Sequence, residues 1–259
     1  MHHERTMRIL SFDTTSEKGG VGIYRDTECL AEIANAGGTN YSISLFDMVD
    51  RLLAELRLQL GDIDLVAAAN GPGSFTGIRV GLAAAQGWAK ALGRPARGVS
   101  LLEAMVEAAV IDTDMALPVL DARRGEFYLC PFRRSDAADP RNSGGLRHLV
   151  NSLRYSAEAE GMAMKPDQIE LCVRQLSGNW HSGDTPPSIC CISREQDPVA
   201  QSLRSTLPGT FDWKVVPGIL TGAIARLALR AHREGKPEPP NGLDAYYVRR
   251  SDAELHWRE

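Results

Sequence analysis

No apolar run in this chain approaches the ~20 residues that a membrane-crossing helix requires, so an embedded helical anchor is not expected. The amino terminus, Met1-His2-His3-Glu4-Arg5-Thr6-Met7-Arg8, lacks the apolar core of a secretion signal and leads straight into a strand-forming stretch. Its first six residues read as an extension, with Met7 as the structural start. Cysteines are few: Cys29, Cys130, Cys172, Cys190 and Cys191 include no C-x-x-C pair and are odd in number. That pattern fits reduced thiols in a cytoplasm. An excess of positive charge is also missing. A net charge of −4 argues against a free-standing nucleic-acid binder, which would carry a strongly basic face. The arginine pairs at 123/124, 133/134 and 249/250 read as solvated surface, or at most as a local patch.

Catalytic signatures are absent as well. The histidines are His2, His3, His148, His181, His232 and His256, and no two are four residues apart. That spacing would put two imidazoles on one helix face to hold a metal. Neither H-E-x-x-H nor a G-x-S-x-G nucleophile elbow occurs. A P-loop would need Gly, four residues, then Gly-Lys-Ser/Thr, and no such spacing exists. The dinucleotide fingerprint G-x-G-x-x-G also fails, because the third glycine falls one residue late, at Gly77.

What is present is concentrated in Gly71-Pro72-Gly73-Ser74-Phe75-Thr76-Gly77-Ile78-Arg79 and the glycine- and alanine-rich stretch that follows to Leu92. Gly71, Pro72 and Gly73 break the preceding strand. Ser74 or Thr76 can cap a helix by accepting a hydrogen bond from a first-turn N–H. Gly93, with Pro95 two positions on, ends that helix. A helix N-terminus with free N–H groups attracts anions, so Gly73 and Ser74 are candidate phosphate contacts; a tight strand-to-helix turn is the plainer reading. At 100° per residue, Ile78, Leu82, Ala85, Ala89 and Leu92 form one apolar face. Gly77, Gly81, Ala84, Trp88 and Ala91 form a neighbouring face of small residues carrying one indole. Two readings stay open at this point: a helix sandwiched inside its own domain, or one that also packs on a partner's helix.

With 259 residues, 43% of them hydrophobic, the chain can bury about three quarters of its unfolded surface in one large domain or two lobes. Strands are expected at residues 8–13, 20–24, 28–34, 64–69 and 97–99, with helices at 42–57, after 74, and at 101–111. This βββαβαβα order is the ribonuclease-H-like pattern, a mixed sheet with helices on both faces. A second set begins with strands at 116–120 and 126–132. It continues with a helix at 165–176, a strand at 188–192, and helices at 198–206 and 219–233; residues 135–145 read as a loop or hairpin tip. The expectation is an N-terminal ribonuclease-H-like lobe over residues 1–111 and a degenerate second lobe over 112–259.

Together these halves, the Asp13-Thr14-Thr15 that follows the first strand, the 71–93 block, Val99-Ser100-Leu101 and Leu120-Asp121-Ala122-Arg123-Arg124-Gly125-Glu126 resemble the TsaB (YeaZ) family. Weaker agreement reaches Tyr247-Val248-Arg249. The resemblance implies a two-lobed actin-like (ASKHA) α/β fold. It also implies a non-catalytic subunit that pairs with TsaD, joined by the ATPase TsaE, for threonylcarbamoyl transfer to the adenosine beside the tRNA anticodon. By the same resemblance the metal and ATP sit on the partner subunits, tRNA is met only through the complex, and the location is cytoplasmic.

The family's interface lies on the first two helices, which here implies Phe46, Val49, Leu53, Gly77, Val80, Gly81, Ala84 and Trp88. Alone, the chain is expected to homodimerise through the same surface. Actin-like folds grip phosphate with an Asp-x-Gly-Thr hairpin. Asp13-Thr14-Thr15 keeps the acid and hydroxyls without that glycine, so Asp13, Thr14, Thr15, Gly73 and Ser74 are candidates for a weak ATP or ADP contact, or else turn-satisfying groups. Tyr41 stands where many relatives have histidine, and Ala245 where they commonly have proline. The rival functions are an ATP-dependent small-molecule kinase of the actin-like superfamily, with Asp121 as the only plausibly placed acid, and a metallopeptidase-like protein.

Overall fold

The structure, a computed structural model, describes residues 5–35, 40–134, 155–157, 161–169, 171–172, 188–195, 197, 203–205, 211–237, 243–246 and 248. Two compact units emerge. The first joins residues 1–104 to 218–247, and the second spans 105–217 with 248–259. The expected division at 111/112 is therefore redrawn, because the 219–233 helix belongs with the amino-terminal strands rather than with its neighbours in sequence.

In the first unit, β1 (Arg8–Asp13), β2 (Gly20–Arg25), β3 (Glu28–Ala34), β4 (Leu65–Gly71) and β5 (Ala96–Ser100) form a sheet of order β3-β2-β1-β4-β5. The β1–β2 and β2–β3 pairs are antiparallel, while β1–β4 and β4–β5 are parallel. Such parallel crossovers need an intervening helix. They are supplied by α1 (Tyr41–Leu56) between β3 and β4 and α2 (Phe75–Leu92) between β4 and β5. Because β1 and β4 are covered on both faces, they read as near-continuous apolar runs rather than alternating ones. Residues 9–13 and 65–69 are all buried. The packed core unites Leu10, Phe12, Val21 and Ile23 of the sheet with Leu45, Val49 and Leu52 of α1 and Ile78, Leu82 and Ala85 of α2. Within α3 (Leu101–Ala109) the chain enters the second unit.

That unit repeats the topology. Strands β6 (Met115–Asp121), β7 (Phe127–Leu129), β10 (Met162–Met164), β11 (Ile189–Arg194) and β12 (Asp212–Val216) lie in the order β10-β7-β6-β11-β12. Antiparallel and parallel pairings fall in the same places as in the first sheet. Two such mixed sheets in one chain form the actin-like α/β arrangement that the sequence resemblance implies, with the second copy degenerate. The expected single strand at 126–132 is instead two strands, β7 and β8 (Phe132–Arg134), separated by Cys130-Pro131; proline has no N–H to offer a ladder. β8 pairs with β6 and with β9 (Tyr155–Ala157). The helix expected at 198–206 is described only at residues 203–205, and the loop expected at 135–145 lies outside the described residues.

The chain returns to the first unit as α4 (Thr221–Arg233), which packs on β1, β2, β4 and β5. Its entry is fixed by buried polar bonds: Ser11 Oγ donates to Thr221 O at 2.8 Å, and Leu220 N donates to Asp13 Oδ2 at 3.2 Å. Tyr24 OH donates to Glu32 at 2.7 Å and lies 2.9 Å from Thr221 Oγ1, which also bonds Glu32. Burial first, then Glu32, pushes the Tyr24 phenol well above its ordinary pKa, so it stays protonated. Beyond α4, Arg97 of β5 donates to the carbonyls of Lys236 and Pro237, at 2.8 and 3.0 Å. Further on, Gln86 donates to Leu243 O at 2.7 Å and Tyr246 N to Asn70 O at 2.7 Å.

Candidate functional site

Two helices dominate the first unit's surface chemistry, and both ends of each are fixed by local sequence. Asn40 caps α1 by accepting from Ser42 N, and Arg57 closes it in the left-handed region. Ser74 caps α2 by accepting from Gly77 N at 3.3 Å, so the expected cap is Ser74, and Gly93 ends the helix at φ +61°. No aspartate or glutamate occupies the first turn of either helix.

The structure divides the eight residues expected to meet a partner. Phe46 is 54% exposed. Val80, Ala84 and Trp88 are half-buried at the edge of the core, where a partner could still reach them. Val49 and Leu53 are buried in the unit's own core. Gly77 and Gly81 are buried too, and their missing side chains already have an occupant. A Cβ at Gly77 would meet Thr14 O at 2.0 Å, and one at Gly81 would meet Thr14 Oγ1 at 2.2 Å. The small-residue stripe thus lets α2 lie against the turn after β1, inside the same unit. On α1 the sequence reading missed Ile43, which is 75% exposed one turn before Phe46. Its i, i+3 spacing to Phe46 was the available signal.

What remains open to solvent is a compact apolar face: Ile43 and Phe46 from α1, and Val80, Ala84 and Trp88 from α2. Its anchors are stacked inward. The Phe46 ring meets Trp88 edge-on at 5.0 Å, and Trp88 stacks on the buried Phe12 of β1 at 5.2 Å. Aromatic pairs in such arrangements gain beyond their buried area, so the exposed ring sits on a rigid support. Nearby on α2, the Arg79 guanidinium lies 3.8 Å from the centroid of the Phe75 ring.

The turn after β1 is already committed. Asp13 has no exposure; its Oδ1 accepts from Thr15 Oγ1 at 2.6 Å and from Thr15 N at 3.2 Å, and Oδ2 takes Leu220 N. Ser74 N donates to Thr15 O at 2.7 Å, and a Cβ at Gly73 would meet Thr15 O at 2.5 Å. Thr14 is 1% exposed, its hydroxyl buried without a hydrogen-bond partner. Tyr41 OH donates to Ser16 O at 2.8 Å, tying α1 to the same turn. A phosphate needs an acid free to manage its metal and backbone N–H groups at close approach. Here the acid, the cap hydroxyl and the glycine contacts serve the chain itself. The residues Asp13, Thr14, Thr15, Gly73 and Ser74 come together as expected, with both Asp13 oxygens hydrogen-bonded within the chain.

Asp121, the acid singled out for a kinase, spends its Oδ1 on Arg123 N at 2.7 Å in a turn whose residues Arg123, Arg124 and Gly125 all have positive φ. That is the geometry of an Asx turn. Among the described residues no group of three or more His, Cys, Asp or Glu could hold a metal, and His232 is the one histidine among them. No helix of the described residues is long and apolar enough to cross a membrane. Burial raises the thiol of Cys190 to about 11 and that of Cys191 to about 12.

Against known proteins, residues 31–139 match the family described as TsaD, tRNA N6-adenosine threonylcarbamoyltransferase. The chain is 31% identical over 176 residues to the tRNA threonylcarbamoyladenosine biosynthesis protein TsaB of Escherichia coli K12, covering 67% of this chain and 69% of that one. It is 32% identical over 122 residues to the Bacillus subtilis TsaB, covering 47% and 53%. The chain thus spans about two thirds of the first relative and about half of the second. Among solved structures, YeaZ from Pseudomonas aeruginosa superposes with a TM-score of 0.62 at 20% identity, over 92% of this chain and 96% of that one. A second, from the same organism and described as similar to peptidase YeaZ, gives 0.68 at 18% identity over 94% and 100%. At these identities the likeness concerns the fold alone.

Proposed function

The chain belongs to the TsaB family of tRNA threonylcarbamoyladenosine biosynthesis proteins, and from that premise we propose that it is a non-catalytic subunit that pairs with TsaD, with TsaE joining the assembly. In this reading it supports threonylcarbamoyl transfer to the adenosine beside the anticodon and meets tRNA only through the complex. The observation that carries the proposal is the apolar face of Ile43, Phe46, Val80, Ala84 and Trp88 on α1 and α2. A cluster of large apolar side chains held rigid by aromatic stacking is costly to leave in water and suits a helix-on-helix contact with a partner. The same face would drive homodimerisation when TsaD is absent.

Support for a non-catalytic role comes from the turn after β1. Both Asp13 oxygens are engaged by Thr15 and Leu220, and in this reading ATP and metal belong to the partners. Co-purification with TsaD and TsaE of the same source, followed by transfer to tRNA with and without this chain, tests the proposal. Transfer that depends on the chain, with the chain alone inert and drawing no ATP or ADP in calorimetric titration, is the expected result. Full transfer without it, or turnover by the chain alone, would overturn the reading and bring the kinase alternative forward.

A further inference from the structure

After α4 the chain forms no helix or strand at residues 236–237 and 243–246, yet the first unit commits buried groups to holding both stretches. Arg97 of β5 is 8% exposed and gives both terminal nitrogens to the carbonyls of Lys236 and Pro237, while its Nε is buried without a hydrogen-bond partner. No carboxylate among the described residues pairs with that guanidinium. A buried charge satisfied by carbonyls alone is an expensive way to fix an irregular segment. At the second stretch, Gln86 of α2 donates to Leu243 O, and Tyr246 N donates to Asn70 O of β4. Leu243 is buried and joins the core cluster that α1 and α2 share, with Ala245 packed against it. Gly71, where β4 ends, has φ +117°, and a Cβ there would meet Tyr246 O at 2.8 Å. Only glycine gives the segment that room.

Gln86 is two positions from both Ala84 and Trp88, and two steps along a helix turn it by about 200°. The segment therefore grips α2 on the side away from the apolar face. That face is divided between two helices: Ile43 and Phe46 come from α1, and Val80, Ala84 and Trp88 from α2. The edge-on contact of Phe46 with Trp88 spans the joint, so a shift of α2 relative to α1 separates the two halves. Resting on the partner-subunit reading, we infer that residues 243–246 are a positioning strap, which holds α2 against α1 so that both halves of the face stay in register for the partner. A surface already held in its bound arrangement avoids the ordering cost of association. Gln86 and Leu243 thus act on pairing through α2, without belonging to the face themselves.

The test is isothermal titration of the full chain with TsaD of the same source, at a temperature where the variants keep the parent's far-ultraviolet circular dichroism. It compares Gln86→Ala and Leu243→Ala with Leu117→Ala, which truncates a buried side chain in the second unit's core. Where each chain is fully folded, a loss of stability alone does not enter Kd, whereas a displaced α2 does. The expected result is that both strap variants weaken affinity about five- to twentyfold, as when one interface anchor is partly lost. Leu117→Ala should stay within twofold of the parent even though urea denaturation shows it destabilised as much as Leu243→Ala. Gln86→Ala, which gives up a single half-buried hydrogen bond, decides the matter should Leu243→Ala fail to fold. Affinity within twofold for Gln86→Ala, or equal weakening by Leu117→Ala, would overturn the strap and leave the pairing proposal standing. No binding by the parent chain would refute the pairing proposal itself.

Discussion

Replacing Phe46 with alanine separates a partner-facing side chain from a core one, because only the partner-facing role enters the affinity. A phenylalanine offers roughly 150–250 Å², and 54% of Phe46 is exposed, so about 100 Å² is available for burial by a partner. At about 25 cal/mol per Å² that area is worth about 2.5 kcal/mol, or about 50- to 100-fold in Kd. In the isolated chain the truncation gives up the area already buried, about 90 Å² or about 2 kcal/mol, together with the edge-on contact with Trp88; that loss is common to the free and the bound chain and so does not enter the affinity. The expected outcome is a large loss of affinity for TsaD in isothermal titration, beside a loss of stability of similar size in urea denaturation. Phe46→Asp should enlarge the first effect while adding little to the second, since a carboxylate at this half-exposed site stays hydrated until a partner buries it. Affinity within twofold of the parent would refute the reasoning.

Other substitutions test the parts beneath that face. Gly77→Ala places a Cβ 2.0 Å from Thr14 O, whereas Gly87→Ala meets nothing within 4 Å; denaturation should show the first losing about 1–3 kcal/mol to overpacking and the second gaining about 0.5–1 kcal/mol from helix propensity. Asp13→Asn keeps an acceptor for Thr15 but can turn a second donor toward Leu220 N, so it should cost about 1–3 kcal/mol in the same assay. With thiols raised to about 11 and about 12, Cys190 and Cys191 hold almost no thiolate at pH 8. Mass spectrometry after iodoacetamide treatment should find both unmodified in the native chain and alkylated in urea, with protection disappearing only as pH climbs toward those values.

Much of the first unit was legible in the sequence because its signals are local. The expected strands at 8–13 and 28–34 match β1 and β3, and Ser74 and Gly93 bound α2 where capping chemistry requires. The second unit was harder to read. β12, Asp-Trp-Lys-Val-Val, is mostly exposed, so that only the Pro208-Gly209 before it marks it in the sequence, and β9 and β10 are three residues each. Periodicity cannot speak over so short a span. The candidate face was half legible. The resemblance named Phe46 and Trp88 together with Val49 and Leu53; the structure leaves Phe46 exposed and Trp88 half-buried but buries Val49 and Leu53, because a helix pattern does not tell which neighbour fills each side. Gly77 and Gly81 misled for a deeper reason: a glycine announces that something comes close, and Thr14, 63 residues before Gly77 in the chain, was that something.

The first unit closes only when α4, more than a hundred residues downstream of α3, comes home to β1. A ribosome releasing this chain from its amino terminus therefore has β1, β2 and β4 outside the exit tunnel long before their covering helix exists. Ser11 and Asp13 must wait for Thr221 and Leu220 through the synthesis of residues 105–217 of the second unit. The nascent amino-terminal sheet has one apolar side bare for that interval, the period in which a holdase chaperone would find its target. A fragment ending at residue 111 would keep that side bare permanently, and it should collect in the insoluble fraction while the full chain does not.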